Sequence, residues 1–186
     1  NNNNYGPTAY TKTATAMNIL RDIILGDSLF DYAFKTYAER WAFKHPTPAD
    51  LFRTMEDASG EDLDWFWRGW FYGTEPCDLA IDTVKYFKAD PGGLPSTPGL
   101  VPADPSERPR TANKFFYEIR VSNKGGLVMP VIIEWTYADG TKEIDRIPVQ
   151  IWRHNETVIS KVFMKDKQVI SVLLDPMKQT ADINEA

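Results

Sequence analysis

The spacing of apolar residues is helical over roughly the first two fifths of this chain and becomes alternating beyond residue 73. Ala16, Met17, Leu20, Ile23 and Ile24 recur three and four residues apart, which predicts a helix that stops at Gly26. A second helix is predicted from Asp27 or Ser28, with Phe30, Phe34, Tyr37 and Trp41 as one aromatic stripe read as core. The third is the best punctuated. Thr47 suits an N-cap, Pro48 the first helical position, Asp50 the acidic first turn, and Ser59-Gly60 the end, with Phe52 and Met55 facing inward. A fourth helix over 63–71 carries Trp65, Phe66, Trp67 and Trp70, a density that implies burial on more than one side. Gly69 within it suggests close approach by another helix.

After Gly73-Thr74-Glu75-Pro76 the alternation of Leu79, Ile81 and Thr83 predicts a strand. The stretch 89–113 holds Pro91, Pro95, Pro98, Pro102, Pro105 and Pro109, too many for a helix or ladder, and reads as an irregular excursion or linker. Strands are then expected over 116–122 and through Val131, Ile133, Trp135 and Tyr137, with Asp139-Gly140 as a hairpin turn. The return strand is expected over 144–152 with Pro148 as an edge or bulge, and two more strands near 157–163 and 169–174. The expected class is therefore α+β: an all-helical segment over 1–74, then an antiparallel β-sandwich of immunoglobulin or fibronectin type over 75–186.

Composition narrows the function classes. The chain has 186 residues, 42% of them hydrophobic and 25% charged, as in ordinary globular proteins. A net charge of -5 with no basic stripe argues against a nucleic-acid partner. No apolar run approaches the ~20 residues of a membrane span, and no leader pattern opens the chain, which leaves the compartment undecided. The lone Cys77 has no nearby histidine and reads as a small core residue. His45 and His154 lie in different predicted regions, so a zinc site built from this chain is not expected. The acidic stretch from Glu56-Asp57 to Glu61-Asp62-Leu63-Asp64 lacks the ligand alternation of an EF-hand and reads as charge favouring a helix start.

Tyr5 and Tyr10 stand in Tyr5-Gly-Pro-Thr-Ala-Tyr10-Thr-Lys12-Thr-Ala. This stretch combines with Leu25-Gly26, Phe30, Tyr37, Phe52, the run Met55-Glu56-Asp57-Ala58-Ser59-Gly60, and Trp65, Phe66 and Trp70 before Gly73-Thr74. Together they resemble the end of the thermolysin-like catalytic domain of the zinc aminopeptidases, the gluzincin family of aminopeptidase N and leukotriene hydrolase. In that family a Tyr-Glu-Lys-Gly tyrosine stabilises the oxyanion of the tetrahedral intermediate. Tyr10 and Lys12 match the motif, whereas Thr11 replaces its acidic residue and Thr13 its glycine.

The resemblance implies that Tyr10 is catalytic, that Tyr5 supports it, and that Lys12 orients or is structural. No His-Glu-x-x-His occurs in the sequence. The resemblance therefore implies a C-terminal portion of the enzyme, with zinc and general base supplied upstream and a peptide as substrate. The fragment alone is then expected to be inactive and, with apolar helix faces uncovered, either to self-associate or to present an apolar groove beside Tyr10. Two other readings compete. The chain could be a non-catalytic interaction or scaffold module derived from the same family, or a carbohydrate-binding sandwich using Trp135 and Trp152 as stacking platforms.

Overall fold

A computed structural model describes residues 2–88 and 114–184; the proline-rich stretch 89–113 lies outside the described residues. Helical structure runs from residue 2 to residue 25. It contains a π-helical turn at Pro7–Lys12, α1 at Thr13–Ile19 and a second π turn at Leu20–Leu25. Gly26, at φ +78°, breaks the run in a conformation that favours glycine and starts α2, Asp27–Trp41. Of the aromatic stripe expected in the core, Phe30 is buried but Phe34 is exposed. The helix rests on one side only, against α3 and the Leu20–Leu25 turn, and the stripe curls past that contact.

α3, Pro48–Ser59, starts where its cap predicts. The Asp50 carboxylate accepts from the Thr47 N–H at 2.8 Å and the Thr47 hydroxyl at 2.7 Å. Gly60, left-handed at φ +71°, ends the helix and donates to the Glu56 carbonyl at 2.8 Å. α4, Asp64–Trp67, passes into a third π turn, Arg68–Tyr72. Its rings close the helical core: Trp67 stacks on Phe52 at 4.5 Å between centroids, and Phe66 is fully buried. Gly69 is approached closely, but not by a helix. A side-chain carbon there would lie 2.4 Å from Leu127, which follows the second strand.

Six strands are present among the described residues: β1 Leu79–Lys88, β2 Phe115–Asn123, β3 Val131–Tyr137, β4 Lys142–Ile147, β5 Val158–Lys165 and β6 Val169–Leu174. They form two open, three-stranded antiparallel sheets, ordered β1-β2-β5 and β4-β3-β6. Alternation puts Tyr117, Ile119 and Val121 of β2 and Ile133, Trp135 and Tyr137 of β3 into one core. The sheets meet there, with Trp135 5.0 Å from Phe163 of β5 and 6.0 Å from Tyr117.

The return strand is shorter than its sequence pattern. Pro148 lacks an N–H for the ladder, β4 ends at Ile147, and Val149–Trp152 winds into a 3₁₀ turn. That turn lets the Trp152 indole N–H donate to the buried Met129 carbonyl at 2.8 Å. Trp135 and Trp152 are both buried, which overturns the carbohydrate-platform reading: neither ring is open to a sugar. Lys165 is also buried, a rare place for an amine. Its ammonium bonds Glu143 at 3.0 Å and Asp145 at 2.6 Å and lies 4.6 Å from the Trp135 ring.

Candidate functional site

Tyr10 lies on the π turn Pro7–Lys12, a turn that buries none of its residues. Widened turns of this kind are uncommon in helices and recur at functional sites. Tyr5 and Tyr10 are 67% and 68% exposed, and their rings meet edge to face at 6.1 Å. Lys12 turns to a different side. Its ammonium donates to the Gly73 carbonyl at 3.0 Å, tying the Tyr10 turn to the exit of the last helical segment, 61 residues away.

Gly73 accommodates that tie because it has no side chain: a Cβ would lie 2.9 Å from the Gly69 carbonyl and 2.7 Å from Glu75. The Glu75 carboxylate accepts from the Thr74 N–H at 2.9 Å. Backbone hydrogen bonds from its own amide and Thr74 hold Glu75 below the usual carboxylate range, and the charge of Lys12 adds to this. The structure thus brings Tyr5 against Tyr10 and gives Lys12 a separate anchor.

A cleft of about 800 Å³ opens elsewhere, between α3, α4 and the Val149–Trp152 turn. Phe52, Trp65, Trp67 and Trp152 form its apolar walls, and Arg53 and Glu56 are among its polar ones. Across it Arg68 reaches Glu156 at 3.4 Å, an exposed pair of small energetic worth. Glu56, Asp62 and Asp64 converge at its floor, one carboxylate oxygen from each within 4.8 Å of the others. The acidic stretch was visible in the sequence, but its convergence depends on the left-handed turn at Gly60.

Burial raises the Glu56 pKa first, opposed by the Leu63 N–H that bonds it; the charges of Asp64 and Asp62 raise it further. A catalytic zinc ordinarily takes imidazole as well as carboxylate ligands. His45 follows α2 and His154 follows the 3₁₀ turn, and neither joins this cluster. The donor set among the described residues therefore does not fit catalytic zinc.

Comparison with known proteins places the helical region. The profile of the Peptidase family M1 domain matches residues 1–70. Aminopeptidase N of Escherichia coli (strain K12) is 28% identical over 156 residues, which covers 80% of this chain and 18% of that protein. The aminopeptidase A of Legionella pneumophila, solved in complex with aspartic acid, aligns over 89% of this chain and 15% of its own, at 17% identity and a TM-score of 0.49. The chain thus spans less than a fifth of the length of the relatives it matches.

Proposed function

We propose, for a chain that belongs to peptidase family M1, that it supplies the transition-state-stabilising wall of a zinc-dependent aminopeptidase active site. In this reading Tyr10 is the catalytic residue, and the helical segment is the end of a thermolysin-like catalytic domain. The two sheets that follow form a sandwich of immunoglobulin or fibronectin type. The observation that carries the reading is the presentation of Tyr10: an exposed phenol on a π turn that buries nothing, inside the region matched by the family.

The chemistry follows from that presentation. As a nucleophile adds to the carbonyl of the first peptide bond, negative charge develops on its oxygen. The Tyr10 hydroxyl donates to that oxyanion, and the bond strengthens as the charge grows. Tyr5 limits the ring's freedom through its edge-to-face contact, and Lys12 fixes the turn against Gly73. Zinc and the general base come from the upstream half of a longer polypeptide, because this chain's donor set does not match a zinc site. The exposed Tyr32, Phe34 and Phe43 provide apolar area on which that upstream half packs, and through which the chain alone self-associates.

The test is Tyr10→Phe in the longer zinc-bearing polypeptide. Phenylalanine keeps the ring and its contact with Tyr5, so folding and zinc content stay unchanged. Removing one oxyanion donor lowers kcat by about 100- to 1,000-fold with little change in KM. Tyr5→Phe has the smaller effect. Near-normal turnover in Tyr10→Phe would leave Tyr10 a surface residue and sink the assignment.

A further inference from the structure

The turn that ends α2 holds a phenylalanine where such a turn ordinarily takes glycine. The Lys44 N–H donates to the Trp41 carbonyl at 3.0 Å, with Ala42 at φ -52°, ψ 130° and Phe43 at φ +61°. That is a type II turn, whose third residue needs positive φ and favours glycine or asparagine. A bulky residue there carries strain that burial of its ring would ordinarily offset. Phe43 is not buried. It is the most exposed large apolar residue among those described.

The charges beside that ring are positive. Residues 40–46 include Arg40 and Lys44 and no acidic residue. Arg40 pairs with Asp57 at 3.5 Å, whereas Lys44 forms no ion pair among the described residues. The Lys44 ammonium donates to the Arg40 carbonyl at 2.8 Å and lies 5.8 Å from the Trp41 ring, which holds it beside the turn. The cleft between α3, α4 and the Val149–Trp152 turn has the opposite character. Its walls are the rings of Phe52, Trp65, Trp67 and Trp152, and the exposed Tyr72 also lines it. Its charged side chains are five carboxylates against the guanidiniums of Arg53, Arg68 and Arg153. At about 800 Å³ it has room for the whole tip of the turn, Ala42 to Lys44, and not for the ring alone.

We propose that Phe43, flanked by Lys44, is the anchor of a two-fold dimer and inserts into this cleft on a second copy of the chain. Anchor and cleft lie near each other: Ala49, which lines the cleft, follows Phe43 by at most ~22 Å of extended chain. Each copy therefore offers both parts, and one rotation seats both anchors in both clefts, which closes the assembly at two. Burial of apolar area drives the insertion, while the opposed charges steer the approach and fix its orientation. The turn is already formed, so little ordering is needed on association. A second copy fits better than an unrelated protein because the apolar plug and the socket of opposite charge occur on the same chain. The dimer specifies the self-association stated above for the chain alone and rests on it; Tyr10 and the peptidase activity play no part.

The experiment is sedimentation equilibrium of the 186-residue chain from about 1 µM to about 1 mM, where small interfaces exchange. The unaltered chain should pass from one copy to two. Sodium chloride at about 1 M, with a screening length near ~3 Å, should move that transition to higher concentration. Phe43→Gly should raise the dimer dissociation constant at least about 20-fold, the scale of a buried aromatic anchor. It should also raise the thermal midpoint of the monomer, because glycine relieves the left-handed strain. Tyr72→Asp, on the cleft, should weaken dimerisation comparably, and Tyr32→Ser, exposed elsewhere on α2, should leave it unchanged. A monomer throughout the range overturns the proposal together with self-association itself. Dimers that survive Phe43→Gly but not Tyr32→Ser leave self-association standing and overturn this mode of it. Growth beyond two copies overturns the reciprocal geometry. A lowered thermal midpoint in Phe43→Gly shows that the ring packs within its own chain, and overturns the anchor.

Discussion

The two halves of the molecule treat their buried indoles differently. In the sheet region Trp135 donates to Asp145 and Trp152 to the Met129 carbonyl, both at 2.8 Å. In the helical region Trp41 donates weakly to Thr54 at 3.3 Å, Trp67 lies beside the Glu56 carboxylate without a well-formed bond, and the buried Trp70 indole nitrogen has no hydrogen-bond partner among the described residues. The same contrast recurs at larger scale. The sheets enclose Trp135, Tyr117 and Phe163 between them but leave Tyr86 and Phe87 of β1 exposed, and the helical region leaves Tyr5, Tyr10, Tyr32, Phe34 and Phe43 exposed. Phe43 does so in the left-handed region at φ +61°, an uncommon backbone for a bulky residue. The sheet region hydrogen-bonds its buried indoles within itself, and the helical region presents more of its aromatic rings to the surface.

The largest effect expected from this contrast is on stability. Trp135→Ala removes the ring at the centre of the inter-sheet contact and the cation–π partner of the buried Lys165, and should cost about 3–5 kcal/mol in chemical denaturation. Phe34→Ala, on the exposed face of α2, should stay within about 0.5 kcal/mol. If the two cost the same, the helical face is not free and the comparison fails.

A smaller effect isolates the hydrogen bonds. Trp152→Phe and Trp67→Phe trim similar ring area from buried positions. Only the first strands a partner, the buried Met129 carbonyl. Trp152→Phe should therefore be the more destabilising by about 1–3 kcal/mol. Equal losses would mean that the Trp67 N–H is held by the Glu56 carboxylate as firmly as Trp152 is by Met129, and the contrast between the two regions would fail.

Local chemistry in the sequence foretold local structure. Thr47, Pro48 and Asp50 build their cap within four residues, and Asp139-Gly140 turns its hairpin with Gly140 at φ +80°. What the sequence concealed involves partners distant along the chain. Gly69 meets Leu127 rather than a helix, and Lys12 meets the Gly73 carbonyl. The alternation through 144–152 looked like strand to its end because nothing nearby shows that Trp152 must turn inward to Met129. The candidate site divides the same way. Tyr10 stands out through its motif, whereas the grouping of Glu56 with Asp62 and Asp64 needs the turn at Gly60 to be known.

The smallest expected effect lies at the seam. Cys77 is 2% exposed, bridges to Asp182 near the end of the chain, and accepts the Ile183 N–H on its carbonyl at 3.0 Å. Burial pushes its thiol up to about 12; the charges of Asp182, Asp175 and Asp78 add to this, while the Thr180 hydroxyl opposes it. The thiolate is the reacting form, so in native buffer at about pH 7.5 a disulfide reagent should label Cys77 only as fast as the seam opens, and in denaturant at once. The sign of the pH dependence follows from the raised value. An unfolded thiol ionises near pH ~8.5, whereas the folded one keeps its proton until about 12. The stabilisation is thus fully present below the unfolded value and is lost as pH rises through the window up to the folded one. Rapid labelling in native buffer would show that this seam is not closed, and that the self-sufficiency of the sheets ends short of the strand that joins them to the helices.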